Sequence, residues 1–163
     1  MPALHSNRYI RIVSGGQTGV DRAALDVALE LGLPCGGWCP RGRRAQDGPI
    51  PSRYPLRETE SEDYRVRTRL NVRDSDATLV LHCGELNGGT AYTVEVAREL
   101  ERPCLAVNLE ASDAVTAAVN WLAKHDVGIL NVAGPRENDC PGIQEKAGAF
   151  VLELMADRSA GAR

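Results

Sequence analysis

Short apolar runs rich in β-branched residues recur along the chain and are separated by longer amphipathic stretches. The clearest run, ATLVLHC at 77–83, is predominantly apolar, as expected of a central parallel strand that is covered on both faces. The same criteria, with Ser, Gly and Pro residues as boundaries, predict four more strands. The five predicted strands are 9–13, 33–39, 77–83, 104–109 and 127–132.

The stretches between the strands carry apolar residues at helical spacing. The first helix is predicted to start at Thr18 and Asp21, which are three residues apart and form a variant of the capping box. Its apolar side carries Val20, Ala24, Val27 and Leu31. The second predicted helix runs from the N-cap Ser61 to about Arg73, and the third covers 91–100. The fourth is capped by Ser112, and its inward-facing residues are Val115, Ala118, Val119 and Leu122. The last has an apolar face made of Ile143, Ala147, Phe150, Val151 and Leu154.

Five strands that alternate with five helices predict an α/β fold: a Rossmann-like, doubly wound and mainly parallel sheet with helices on both faces. A length of 163 residues suits a single domain over 1–163. We expect its core to span about 9–156 and the tail at 157–163 to be disordered. In such folds ligands bind outside the carboxyl ends of the strands, so the loops at that edge are the candidate site.

Composition narrows the class of protein. The chain is 43% hydrophobic and 25% charged, and no apolar run is long enough for a signal peptide or a membrane span, which predicts a cytoplasmic globular protein. The net charge of −3 argues against a general nucleic-acid binder. Five cysteines without a Cys-x-x-Cys pair indicate neither a disulfide framework nor a metal site.

Charge is unevenly distributed along the chain. Residues 41–73 contain nine arginines but only five acidic residues, and the whole chain has only two lysines, Lys124 and Lys146. Arginine is suited to bidentate contacts with phosphate or carboxylate groups. The polar loop that begins at Arg41 is about twenty residues long, and loops of that length are generally functional or mobile.

Two glycine-rich turns follow predicted strands. SGGQTGVDRAALDVA at 14–28 joins the first strand to the first helix, and GELNGGT at 84–90 follows the central strand. Such turns direct backbone N–H groups and the positive end of a helix dipole at one point, where phosphate binds. The first turn lacks the Walker lysine and the Gly-x-Gly-x-x-Gly spacing, and a tight turn with an ordinary cap is the alternative. Since the loops 14–19, 40–48, 84–90 and 133–139 converge on one edge, we expect a phosphorylated ligand there.

Five ordered motifs carry a family resemblance that covers about residues 9–155. They are SGGQTGVDRAALDVA, GWCPRGRR, YRVRTRLNVRDSDATLVL, NGGTAYT and LNVAGPRE. The sequence resembles the molybdenum-cofactor carrier family, a circularly permuted YpsA-like branch of the SLOG superfamily, which also includes the LOG nucleotide hydrolases and the DprA proteins. The resemblance implies homo-oligomers that bind the molybdenum cofactor, a pterin dithiolene with a terminal phosphate, and pass it to molybdoenzymes or cofactor-biosynthesis proteins.

The resemblance also implies roles for individual residues. The phosphate would be held by Gly15, Gly16, Gln17, Thr18 and Gly19 and by Gly88, Gly89 and Thr90. Arg41, Arg43 and Arg44 would close over it. Arg69, Asn71, Asp74, Ser75 and Asp76 would read the edge of a pterin or purine ring, with helix capping as the alternative for Asp74 and Ser75. Asn131, Gly134, Arg136 and Glu137 would form the last side of the site.

Two other functions stay open at this point. A LOG-type phosphoribohydrolase would cleave the N-glycosidic bond of a nucleoside monophosphate with a carboxylate such as Glu95 or Glu85. The stretch NGGTAYTVE lacks the proline and third glycine of the LOG motif, which speaks against that activity, and no catalytic residue is assigned. A nucleotide sensor is the third alternative. In either case the ligand would be a nucleotide.

Overall fold

The computed structural model describes residues 9–161, with their side chains through residue 158. The strands are β1 (Arg11–Val13), β2 (Cys35–Gly36), β3 (Trp38–Cys39), β4 (Arg44–Ala45), β5 (Gly48–Pro49), β6 (Arg57–Glu58), β7 (Ala77–His82), β8 (Cys104–Asn108) and β9 (Ile129–Ala133). The helices are α1 (Val20–Glu30), α2 (Tyr64–Arg73), α3 (Gly88–Glu99), α4 (Ala114–His125) and α5 (Ile143–Gly161). Within this described range no helix is long and apolar enough to cross a membrane.

Five strands form one parallel sheet in the order β2-β1-β9-β7-β8. Helices α1, α4 and α5 pack together on one face, and α2 packs against α3 on the other. The predicted α/β, Rossmann-like architecture is therefore confirmed. Because β1 leads to β2 on one side and β7 leads to β8 on the other, the strand order reverses around β9, and a crevice opens at the carboxyl edge there.

Strand β7 lies inside the sheet, between β9 and β8, and its residues from Ala77 to Leu81 are all buried, including the polar Thr78. Ala77, Leu79 and Leu81 belong to the main apolar core that α1, α4 and α5 complete, while Val80, equally buried, alternates to the opposite face. The last predicted helix is also confirmed, since all five of its apolar positions are buried. Those positions are Ile143, Ala147, Phe150, Val151 and Leu154.

The predicted strand at 33–39 is wrong as a single element. Gly37 has a φ of +129°, and a Cβ there would overlap the Ser14 carbonyl oxygen. The chain therefore bends at Gly37 after only two sheet residues, and β3 leaves the main sheet to pair with β6. The long loop predicted after it contains the antiparallel pair β4 and β5, so it is folded rather than extended.

Several predicted helix starts are also wrong. The first helix is capped at Gly19, not through Thr18, whose hydroxyl instead accepts the Glu137 N–H. Asp63 caps α2 by accepting the Arg65 N–H, and Ser61 supports Asp63 from outside the helix. The fourth helix begins after Asp113 rather than Ser112. A capping side chain is chosen by the tertiary path of the chain as well as by its type.

Two further boundaries differ from the prediction. Helix α3 begins at Gly88, three residues earlier than predicted, so the second glycine turn is part of the helix itself. Helix α5 continues to Gly161, so the residues after Asp157 extend that helix instead of forming a disordered tail. The end of the predicted tail, 162–163, lies outside the described residues.

Candidate functional site

A cavity of about 460 Å³ lies at the carboxyl edge of the sheet, over β1, β9 and β7. Its sides come from the turn after β1, the inner face of α2, the N-terminus of α3 and the loop after β9. The predicted site residues that line it are Gly15, Gln17, Asn71, Gly88, Gly89, Thr90, Asn131, Gly134 and Arg136. This volume suits a ligand of nucleotide size.

The N-terminus of α3 opens directly into this cavity. The first intrahelical bond runs from the Ala91 N–H to the Asn87 carbonyl, so the N–H groups of residues 88–90 have no acceptor within the helix. Asn87 makes no side-chain cap bond, and a Cβ at Gly88 or Gly89 would meet no described atom within 4 Å. Free N–H groups, a helix dipole and open space are the features with which helix N-termini bind anions, and all three occur at this end of the cavity.

The first glycine turn differs, because the N–H groups of residues 17–20 already have protein acceptors. The Gln17 N–H is accepted by Asp21, that of Thr18 by the Gln17 side chain, and that of Gly19 by Gln144. The Val20 N–H is accepted by the Pro135 carbonyl. The N–H groups of Thr18 and Gly19 are thus already paired within the protein, and the phosphate-binding role predicted for these residues stays a prediction. The turn connects α1 to the 134–137 loop.

Packing explains the glycines of that turn. A Cβ at Gly16 would press on Leu56 and Ile50, and one at Gly19 would overlap the Pro135 carbonyl. Gly15 lies against the Arg67 guanidinium, which donates to the Gly15 carbonyl at 2.9 Å. Packing therefore requires a residue without a Cβ at Gly16 and Gly19. Gly15 lies at the cavity floor.

The inner face of α2 contributes Tyr64, Arg67, Thr68 and Asn71, which follow helical spacing. Arg67 is 9% exposed, and sequence reasoning missed it. The signal that would have found it is its spacing from Asn71, four residues on, which places both on the same face of α2. Asn71 itself clamps the Trp38 backbone, donating to its carbonyl at 2.9 Å and accepting its N–H at 2.7 Å.

Arg67 has a buried acidic partner at the cavity floor. Its guanidinium lies 3.8 Å from the carboxylate of Asp21, which is 6% exposed. Burial raises the pKa of Asp21 from 3.8 to about 6, even though the positive charge of Arg67 and the hydrogen bond from the Gln17 N–H both lower it. A perturbed carboxyl group in a cavity is a frequent property of functional sites.

Replacing Asp21 with Asn is expected to change the pH dependence of stability. Since the native Asp21 has the higher pKa, the native state binds more protons than the unfolded chain between about pH 4 and pH 6. The cost of its buried charge is absent below that window and complete above it. The stability of the variant relative to the parent should therefore rise by roughly 2 kcal/mol from pH 4 to pH 7. Urea unfolding of both proteins at both pH values measures this change in relative stability. If the difference in unfolding free energy between variant and parent is the same at both pH values, the prediction is contradicted.

The arginines of the 40–48 loop do not line the cavity. Arg43 donates to the carbonyls of Ile50, Pro51, Tyr54 and Leu56 and so holds the loop together. Arg41 is exposed beside Glu62, and Arg44 lies over the ring of Tyr64 at 5.4 Å. Of the three, only Arg44 contacts a residue of the cavity. Arg69 pairs with Glu99 at 2.9 Å on the outer surface.

We expect Arg43→Met to destabilise the protein by about 2 kcal/mol, because four backbone carbonyls lose their donor. Arg41→Met, at a side chain that is 62% exposed, should change stability by less than about 0.5 kcal/mol. Urea unfolding of the two variants compares them. Equal effects would show that the Arg43 contacts do not stabilise the loop.

Asp74, Ser75 and Asp76 lie at the opposite end of the sheet from the cavity. They precede β7, and the amino ends of parallel strands point away from the carboxyl edge. Asp74 accepts the Trp38 indole N–H, Ser75 donates to the Asn71 carbonyl, and Asp76 accepts the N–H groups of Gly128 and Ile129. The ring-reading role predicted for them stays a prediction, and their position does not support it. The capping alternative fits Asp74, which is the C-cap residue of α2, and Ser75, which bonds the last turn of that helix.

The loop after β9 completes the cavity. Asn131 is buried and donates to the Thr78 hydroxyl at 3.2 Å. Arg136 lies at the rim beside Asp139, at 3.0 Å. Glu137 is directed away, since its carboxylate accepts the Gly142 and Gln144 N–H groups before α5.

Known proteins match this chain in both sequence and fold. The model of the circularly permutated YpsA SLOG family matches residues 12–155. The chain belongs to this family. A crystal structure of a protein from Syntrophus aciditrophicus SB, named "putative molybdenum carrier protein", is 43% identical, with a TM-score of 0.87. The match covers 90% of this chain and 94% of that one. A search of curated proteins gave no match.

In this YpsA-type SLOG domain, the carboxylates that a LOG-type hydrolysis would require are not at the cavity. Glu85 and Glu95 are both exposed and do not line it. His82 hydrogen-bonds the Gly84 carbonyl at 2.9 Å. The carboxylates that do line the cavity are Asp21, Asp63 and Asp139.

Proposed function

We propose that the protein binds the molybdenum cofactor in this cavity and carries it, with the terminal phosphate at the N-terminus of α3. The observation that supports this most directly is the uncapped turn at Gly88, Gly89 and Thr90, which faces the cavity. Membership of the SLOG family and the name of the Syntrophus protein agree with it.

The arginines around the cavity fit an anionic ligand. Arg65 pairs with Asp63 and Arg136 with Asp139, both at 3.0 Å and in exposed positions. Exposed ion pairs contribute little stability, so either guanidinium can turn towards a bound phosphate at small cost. The ligand's own dithiolene would hold the metal. The protein would supply the anion site, the enclosing sides and the polar floor.

A carrier must also release its ligand. We propose that the recipients are molybdoenzymes or cofactor-biosynthesis proteins, and that the carrier acts as a homo-oligomer. The cavity fits transfer because its rim is made of loops and helix ends, not of a closed barrel.

The test is chemical analysis of the protein purified from its own host. Denaturation should release a phosphorylated pterin, identified by mass spectrometry, with molybdenum in roughly equal amount by inductively coupled plasma analysis. A nucleotide without molybdenum would overturn the carrier function and favour the sensor or hydrolase. The Gly89→Asp variant, purified in parallel, should contain much less of the same ligand.

A further inference from the structure

The floor of the cavity contains a buried ion pair that the anion site does not use. Asp21 and Arg67 are both at least nine-tenths buried, and both line the cavity. Buried charges are expensive unless hydrogen bonds satisfy them, and these two are 3.8 Å apart, beyond hydrogen-bond distance. Such a pair has capacity for a further polar partner.

We propose that Asp21 and Arg67 together read the edge of a 2-amino-4-oxopyrimidine ring, the ring common to pterins and guanine. This edge presents an amino group, a ring N–H and a carbonyl in a row. The Asp21 carboxylate can accept from the first two, and the neighbouring guanidinium can donate to the third. Adenine presents a ring nitrogen acceptor in place of the N–H, so it would face the carboxylate unfavourably. This inference rests on the proposed function.

Hydrogen-bonding capacity at both side chains agrees with this role. On Asp21, Oδ2 accepts the Gln17 N–H at 3.3 Å and faces the Arg67 guanidinium, and the Ser14 side chain also hydrogen-bonds the carboxyl group. An ionised carboxylate offers about four acceptor positions, so capacity remains. Arg67 uses Nη1 on the Gly15 carbonyl and Nε on the Thr68 hydroxyl. Its five N–H donors therefore exceed these contacts.

The topology places the ring site and the phosphate site at opposite ends of one ligand. Asp21 follows β1 and the α3 N-terminus follows β7, with β9 between these two strands. Two strand spacings separate them by about 10 Å at the sheet edge. A ligand with its heterocycle at one end and a phosphate at the other spans such a distance.

Titration calorimetry with matched ligands tests this proposal. Guanosine monophosphate should bind at least tenfold more tightly than xanthosine monophosphate, which has a carbonyl in place of the amino group, and than adenosine monophosphate. Pterin should likewise bind more tightly than lumazine, and comparison of the two series shows which ring the site prefers. Ribose 5-phosphate serves as the probe for the phosphate site alone.

Asp21→Asn should reverse the preference. An amide can donate to the xanthine or lumazine carbonyl where the carboxylate could only accept. The variant should keep the parent affinity for ribose 5-phosphate, which shows that the cavity is folded. Asp157→Asn removes a carboxylate at an exposed position of α5 that does not line the cavity, and it should leave the ratio of guanosine to xanthosine affinity unchanged.

The outcomes separate the two proposals. If ribose 5-phosphate binds but the parent does not distinguish the rings, or if Asp21→Asn leaves the preference unaltered, the ring-reading role is overturned and the phosphate site stands. If none of these ligands binds to the parent, both the phosphate site and the ring site are overturned.

Discussion

A Gly89→Asp variant is expected to bind phosphorylated ligands about 100-fold more weakly than the parent, a loss of about 2.8 kcal/mol. Gly89 lies in the first turn of α3, and a Cβ at this position would meet no described atom within 4 Å. A carboxylate there occupies the position of the phosphate and repels it. The same carboxylate complements the helix dipole, so stability should be unchanged or slightly higher.

Calorimetry with ribose 5-phosphate and thermal unfolding measure the two effects. Asn120→Asp makes the same charge change at an exposed position of α4, and it should alter neither quantity. Unchanged affinity in Gly89→Asp would place the phosphate elsewhere in the cavity. Loss of both affinity and stability would indicate a defect in folding instead of in binding.

A Gly134→Ala variant is expected to lose about 3 kcal/mol of stability or more. Its Cβ would overlap the Leu81 carbonyl oxygen of the central strand and the Val20 side chain at the start of α1. Neither can move freely, because β7 is paired on both sides and Val20 is fully buried. The loop that carries Arg136 would therefore have to lift from the sheet.

Gly89→Ala is the matched control for this stability measurement, because neither glycine has a positive φ and only Gly134 is crowded. The control should be neutral or slightly stabilising, since Ala favours helix more than Gly. Urea unfolding at neutral pH distinguishes the two variants. Similar midpoints would mean that the 134–137 loop relaxes more easily than its contacts with β7 suggest.

A cavity lies at the sheet edge that the sequence indicated, whereas the binding roles predicted for individual residues stay predictions. The second glycine turn lies at the cavity as predicted, because a turn after a central parallel strand must reach the carboxyl edge. The first glycine turn has the same residue types, but the N–H groups of residues 17–20 are satisfied by Asp21, Gln17, Gln144 and the Pro135 carbonyl. Two of these acceptors, Gln144 and Pro135, lie more than a hundred residues away, where no local pattern indicates them.

The arginines illustrate the same limit. Arg43 and Arg67 belong to one arginine-rich segment. Arg43 donates hydrogen bonds to backbone carbonyls of its own loop, whereas Arg67 is buried at the cavity floor. Composition predicts that guanidinium groups occur near the site. Which arginine reaches the site depends on the face of α2 on which it lies and on the bend at Gly37, where β3 leaves the sheet.

The sequence by itself determined the architecture, because apolar runs such as 77–83 and helical stripes such as that of α5 each admit one burial pattern and together require a parallel sheet covered by helices. It also indicated the edge of the sheet at which the cavity lies. Only the tertiary structure decided which glycine turn remains open to an anion and which buried charges face the cavity. The reason is physical: strand and helix periodicity are local properties, whereas hydrogen-bond satisfaction and burial depend on residues that are distant in the chain.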